Sequence, residues 1–131
     1  MKTVAITGSR SIKDKQAVWH ILDRVFPNDA MMIHGGAIGV DTFADEWAKS
    51  RGVPVQGYGA GWHKIGHKGA GMIRNGFLVD KADEVISIWD GKSTGTADAV
   101  EKARKQRKKC VQFCIPPSVG PLSAFMVRPG D

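Results

Sequence analysis

Hydrophobic and polar positions along the chain alternate between two periods. Lys2–Thr7 is a β-branched run ending in Gly8-Ser9-Arg10, which predicts a strand and then a tight loop. From Asp14 to Val25, apolar Ala17, Val18, Ile21, Leu22 and Val25 recur at helical spacing, and Pro27-Asn28-Asp29 closes the segment. Ala30–His34 is a second short apolar strand, followed by Gly35-Gly36-Ala37-Ile38-Gly39. Val40, Phe43, Ala44, Trp47 and Ala48 then form the apolar stripe of a helix ending near Gly52. Val53–Tyr58 reads as a third strand, and Ala70–Lys81 as a helix carrying Arg74 and Asn75. Glu84–Trp89 predicts a fourth strand, Thr96–Arg107 a helix and Lys109–Ile115 a fifth strand. The glycine-rich stretch 57–71, with Trp62, His63 and His67, suits a mobile loop over a ligand site. Pro116–Asp131 is a Pro/Gly-bearing tail.

This alternation predicts an α/β fold: one Rossmann-like three-layer domain over residues 1–115, with a mostly parallel sheet and a C-terminal tail over 116–131. The strand order 3-2-1-4-5 makes strands one and four neighbours at the topological switch point. Gly8–Arg10, Gly35–Gly39 and Asp90–Thr96 then meet at one crevice.

The length of 131 residues suits one such domain. Apolar stretches of only a few residues exclude a transmembrane helix, and Met1–Gly8 is too short and β-branched for a secretory signal. Cys110 and Cys114 would share one face of a strand and read as buried free thiols of a cytoplasmic protein. The net charge of +6 has a single source. Residues 102–109 hold six basic side chains and no acid, leaving thirteen of each sign elsewhere. That run falls late on a helix, where cations complement the dipole, so a solvated helix end is preferred to a nucleic-acid surface.

The glycines of Gly35-Gly36-Ala37-Ile38-Gly39-Val40-Asp41 let backbone approach an anion at a helix N-terminus. Asp41 would complement the dipole or accept ribose hydroxyls. Asp90-Gly91-Lys92-Ser93-Thr94-Gly95-Thr96 offers a second anion nest; it is no P-loop, because Ile86 stands where the first glycine is required. Arg10 and Arg74 would clamp phosphates. His63, His67 and the distant His34 do not complete a metal-ligand set, so neither a metal nor another cofactor is expected.

Gly8-Ser9-Arg10, His34 to Asp41 leading to Ala44 and Trp47-Ala48, Ala70-Gly71 with Arg74-Asn75, and Trp89-Asp90-Gly91 with Ser93 and Gly95-Thr96 occur in an order that resembles the YspA/YpsA-related branch of the SLOG superfamily. That superfamily is related to LOG-type cytokinin-activating phosphoribohydrolases and to DprA-like Rossmann proteins. The resemblance covers about residues 3–114. It implies a site for nucleotides or nucleotide-derived ligands such as ADP-ribose or NAD, built from Gly8, Ser9, Arg10, Gly35, Gly36, Ala37, Gly39, Asp41, Arg74, Asn75, Asp90, Gly91, Ser93, Thr94, Gly95 and Thr96. It also implies a homo-oligomer.

LOG enzymes carry a glutamate three residues after a Gly-Thr pair, and here that position is Ala99. An N-glycosidase acting on nucleoside monophosphates would need another carboxylate, with Asp41 and Asp90 as candidates. A DprA-like nucleic-acid binder using residues 102–109 is the third alternative.

Overall fold

The computed structural model describes residues 1–59 and 70–116. Its elements follow the sequence pattern closely: β1 (Lys2–Gly8), α1 (Lys15–Val25), β2 (Ala30–His34), α2 (Val40–Arg51), β3 (Val55–Gly57), α3 (Ala70–Lys81), β4 (Glu84–Trp89), α4 (Thr94–Lys105) and β5 (Lys109–Cys114). The five strands form one parallel sheet in the order β3-β2-β1-β4-β5.

The central strands are apolar on both sides because helices cover both faces. One face places Val4, Ile6, Met32, Ile86 and Ile88 against α1 and α2 residues including Val18, Leu22, Val40 and Ala44. The other sets Ala5, Ile33 and Val85 against Leu78 and Val79 of α3 and Ala103 of α4. Asp14 caps α1, its carboxylate accepting from the Ala17 N–H at 3.0 Å. Gly52 ends α2 in the left-handed conformation.

Several boundaries differ from the sequence reading, and those of β3, α4 and β5 follow from the backbone. β3 begins at Val55 rather than Val53 because Pro54 has no N–H to give and contributes only its carbonyl, which accepts from Met32; it ends at Gly57, one residue before Tyr58. α4 spans Thr94–Lys105 rather than Thr96–Arg107. At its end Arg107 adopts φ +56° while the Lys108 N–H bonds the Ala103 carbonyl and the Arg107 N–H that of Arg104, a Schellman closure without glycine. β5 stops at Cys114, after which Ile115 N–H donates to the Trp89 carbonyl.

The expectation of two buried thiols is corrected at one position. Both cysteines are free, but β5 is an edge strand, leaving Cys110 half-buried and Cys114 exposed. Trp62, His63, His67 and tail residues 117–131 lie outside the described residues. No described helix is long and apolar enough to cross a membrane.

Candidate functional site

The carboxyl ends of β1, β2 and β4 surround a cavity of about 560 Å³, within the ~300–1,000 Å³ range common for small-molecule sites. Close backbone contacts brace its loops. A Cβ on Gly8 would lie 2.3 Å from the Val40 Cβ, so only glycine lets the end of β1 reach the start of α2. Gly39, at φ +80°, packs against the Ser9 and Arg10 carbonyls, where a Cβ would sit at 2.8 Å from each oxygen. Ser9 fastens β1 to β4: its N–H donates to the Ile88 carbonyl, and its buried hydroxyl accepts from the Asp90 N–H at 2.9 Å.

Three N–H groups of the Gly35–Gly39 loop, those of Gly35, Gly36 and Ala37, are taken up within the chain. Asp41 Oδ2 accepts from both Gly35 and Ala37 N–H at 3.2 Å. The Gly36 N–H donates to His34 Nδ1 at 3.0 Å. That bond leaves Nδ1 without a proton, so His34 Nε2 donates to Asp45 Oδ1 at 2.8 Å. The first predicted nest is therefore occupied from within by the chain's own carboxylate. Asp41 is 4% exposed, and burial raises its pKa against the opposing effects of His34, the Ala37 N–H, Arg74 and the Gly35 N–H. Its Oδ1 is buried with no hydrogen-bond partner among the described residues. Arg74 stacks on Gly35, donating from Nη1 to its carbonyl at 3.2 Å, while Nε is buried with no hydrogen-bond partner among the described residues.

The opposite wall is the turn into α4. Burial would raise the Asp90 carboxyl, but hydrogen bonds from Ser11, Lys92, Ser93 and Ser9 overcome it and bring the pKa to about 2. Asp90 Oδ1 accepts from Lys92 and Ser93 N–H, and Oδ2 accepts from the Ser11 hydroxyl at 2.6 Å. Trp89 reinforces the turn by donating from Nε1 to the Ser93 carbonyl, so its ring braces the loop. Asn75 ties α3 to α4 through the Gly95 carbonyl and Asp98. Ser93 makes no capping bond to the first turn of α4, which contains no acid. The N–H groups there lack intrahelical acceptors and concentrate positive potential. Arg10, exposed beside them, has no side-chain partner among the described residues.

Most of the residues singled out in the sequence line this cavity: Gly8, Arg10, Gly35, Ala37, Asp41, Arg74, Asn75, Asp90, Ser93, Thr94, Gly95 and Thr96. Ser9, Gly36, Gly39 and Gly91 stand behind it, Ser9 as the inter-strand fastener and the three glycines at positive φ in the turns. Ala99 is buried, leaving no carboxylate at the position of the LOG glutamate. Asp98 instead bonds Asn75 and Lys102. Among the described residues, no cluster of three or more His, Cys, Asp or Glu side chains could hold a metal. The sequence reading missed Ser11 and the His34–Asp45 pair. A serine directly after Gly-Ser-Arg was the available signal for the first; nothing in the spacing marked the second.

Comparison with known proteins agrees with this architecture. The chain is 35% identical over 122 residues to the Gene 61 protein of Mycobacterium phage D29, covering 86% of this chain and 97% of that protein. Its fold is similar to DNA processing protein A of Helicobacter pylori, a protein described for its mode of single-stranded DNA binding, with a TM-score of 0.64 and 25% identity. That match covers 91% of this chain and 67% of the other. Residues 2–65 match the family profile directly, and the chain belongs to the YspA, cpYpsA-related SLOG family.

Proposed function

We propose that the crevice binds a nucleotide or nucleotide-derived small molecule, of the ADP-ribose or NAD type. Its phosphate would sit at the α4 N-terminus beside Arg10, with its sugar toward Asp41 and Arg74. The observation carrying this reading is the contrast between the cavity's two glycine-rich walls. Neither helix start has a side-chain cap, but α2 carries Asp41 in its first turn, which takes the Gly35 and Ala37 N–H groups. By contrast, α4 has no acid in its first turn and, beyond the Lys92 and Ser93 N–H groups held by Asp90, opens beside Arg10, which has no side-chain partner among the described residues.

Calorimetry with AMP, ADP-ribose and NAD tests the reading. Binding of at least one ligand is expected, weakened about tenfold or more by Arg10→Gln, in line with the ~1.5–3 kcal/mol of a hydrogen bond to a charged group. Folded protein that binds none of the three at millimolar concentration refutes it.

A second reading comes from the likeness to the Helicobacter DNA processing protein: the same crevice would hold a nucleotide unit of a single strand. Competition separates the two, because an oligonucleotide that displaces AMP with much higher affinity favours the strand.

A hydrolytic version, cleaving the N-glycosidic bond of a nucleoside monophosphate, would run through Asp41 and not Asp90. Asp41 is the carboxyl whose surroundings favour a retained proton, and its Oδ1 is uncommitted. Release of free base that Asp41→Asn abolishes, with binding kept, would establish that version.

A further inference from the structure

The net positive charge lies at the pole opposite the crevice. Because α4 begins at the carboxyl ends of the strands and spans twelve residues, its last turn is about 18 Å away, near the amino ends. The basic run 102–109 divides there into two groups. Lys102 pairs with Asp98 at 2.9 Å, and Lys108 donates to the Asp80 carbonyl at 3.0 Å and to the Val79 carbonyl, closing the C-terminus of α3. These two lysines serve the fold.

Arg104, Lys105, Arg107 and Lys109 remain. All four are exposed, and none forms an ion pair among the described residues. Glu101, one turn earlier, pairs with none of them, and Gln106 holds Asp80 instead. Complementing the helix dipole accounts for the last turn of α4. It does not account for Arg107, which stands beyond the helix at φ +56°, or for Lys109, which opens the edge strand β5.

We propose that this α4–β5 corner is a docking surface for the phosphate backbone of a nucleic acid, separate from the crevice and independent of the reading given to it. Charge complementarity selects the partner. Four cations fall within six residues, two of them guanidinium forks that match phosphate bidentately. Among the described residues the corner exposes no large apolar side chain, which an interface core with another protein would supply.

The test is fluorescence anisotropy of a labelled twenty-residue oligo-dT against salt. Four phosphate contacts to a single strand correspond to a log–log slope of about −2.8, or an affinity loss of about 50-fold between 50 and 200 mM salt. The variant Arg104→Gln/Lys105→Gln/Arg107→Gln/Lys109→Gln is expected to lose this slope and at least tenfold in affinity at 50 mM. Lys13→Gln/Arg24→Gln, which removes charge elsewhere, keeps the slope. Should the fourfold variant fail to fold, Lys105→Gln alone still reads the contact, as a slope shallower by about 0.7.

Absence of binding at 50 mM salt overturns the proposal. So does a slope unmoved by Lys105→Gln and the fourfold variant, or tighter binding to poly-glutamate or to phosphatidylserine vesicles than to the oligonucleotide. Loss of AMP binding by Arg10→Gln bears on the crevice alone, so the two readings fail separately.

Discussion

Asp90 lies where fold stability and site geometry meet, and Asp90→Asn separates its charge from its shape. Asparagine keeps an Oδ1 to accept from the Lys92 and Ser93 N–H groups, so the turn survives, while the negative charge facing Ser11 and the α4 N-terminus is removed. A carboxyl moved from 3.8 to about 2 on folding is worth about 2.4 kcal/mol if fully desolvated. Asp90 is only partly buried, and solvent screening reduces this to about 1 kcal/mol. The sign follows from the lowered value. The stabilisation is complete above the unfolded pKa near 4 and disappears as pH falls through about 2. Urea denaturation of wild type and Asp90→Asn at pH 7, 5, 4, 3 and 2 measures it. Wild type is expected to lead by about 1 kcal/mol at pH 7 and 5, with the gap closing between pH 4 and 2. A gap that stays constant across this range, or widens toward acid, refutes the assignment of charge-assisted bonds to Asp90.

Asp41→Asn carries the opposite sign. Burial favours the protonated carboxyl, so wild type is penalised wherever pH forces ionisation, and the penalty is relieved as pH falls toward the ordinary carboxylate value. Relative to wild type, Asp41→Asn should therefore be more stable at high pH than at low pH in the same urea series; the reverse trend contradicts a raised pKa. Gly8→Ala places a methyl 2.3 Å from the Val40 Cβ, and an overpacking loss of about 2–3 kcal/mol is expected by denaturant titration. Val40→Ala should not rescue it, because alanine retains the clashing Cβ; full rescue would show that only the Val40 methyls were in the way.

Strand order and element placement were legible because they rest on period and connectivity. Parallel strands buried on both faces need continuous apolar runs, and right-handed crossovers leave few ways to order five of them. The end of α4 was not legible. Glycine marks the close of α2 at Gly52, whereas Arg107 takes the equivalent left-handed position without any such signal. The approximate membership of the crevice was readable, since loops at strand ends converge at the switch point. What each loop does with its N–H groups was not. That depends on whether a side chain one helical turn onward can reach back into the loop, and Asp41 does so over four and six residues. The exposure of Cys114 was hidden for a similar reason: β5 reads as an apolar strand whether or not a sixth strand lies beside it.

The two glycine-rich loops looked equivalent as anion sites, and one acidic residue separates them. In α2, Asp41 in the first turn uses two loop N–H groups, so an incoming phosphate would have to displace a buried carboxyl that already fits. In α4 the first turn has no acid, and the nearby carboxylate, Asp90, spends both oxygens on the turn and Ser11. An anion entering this cavity therefore gains most at the α4 wall, with Arg10 beside it. The Asp41–Arg74 wall is left to groups that exchange hydrogen bonds without carrying full negative charge. Net charge plays no part in this selection. The helix that turns its positive end toward the crevice carries the basic run at its negative end, so the source of the +6 balance and the proposed anion site stand at opposite poles of one element.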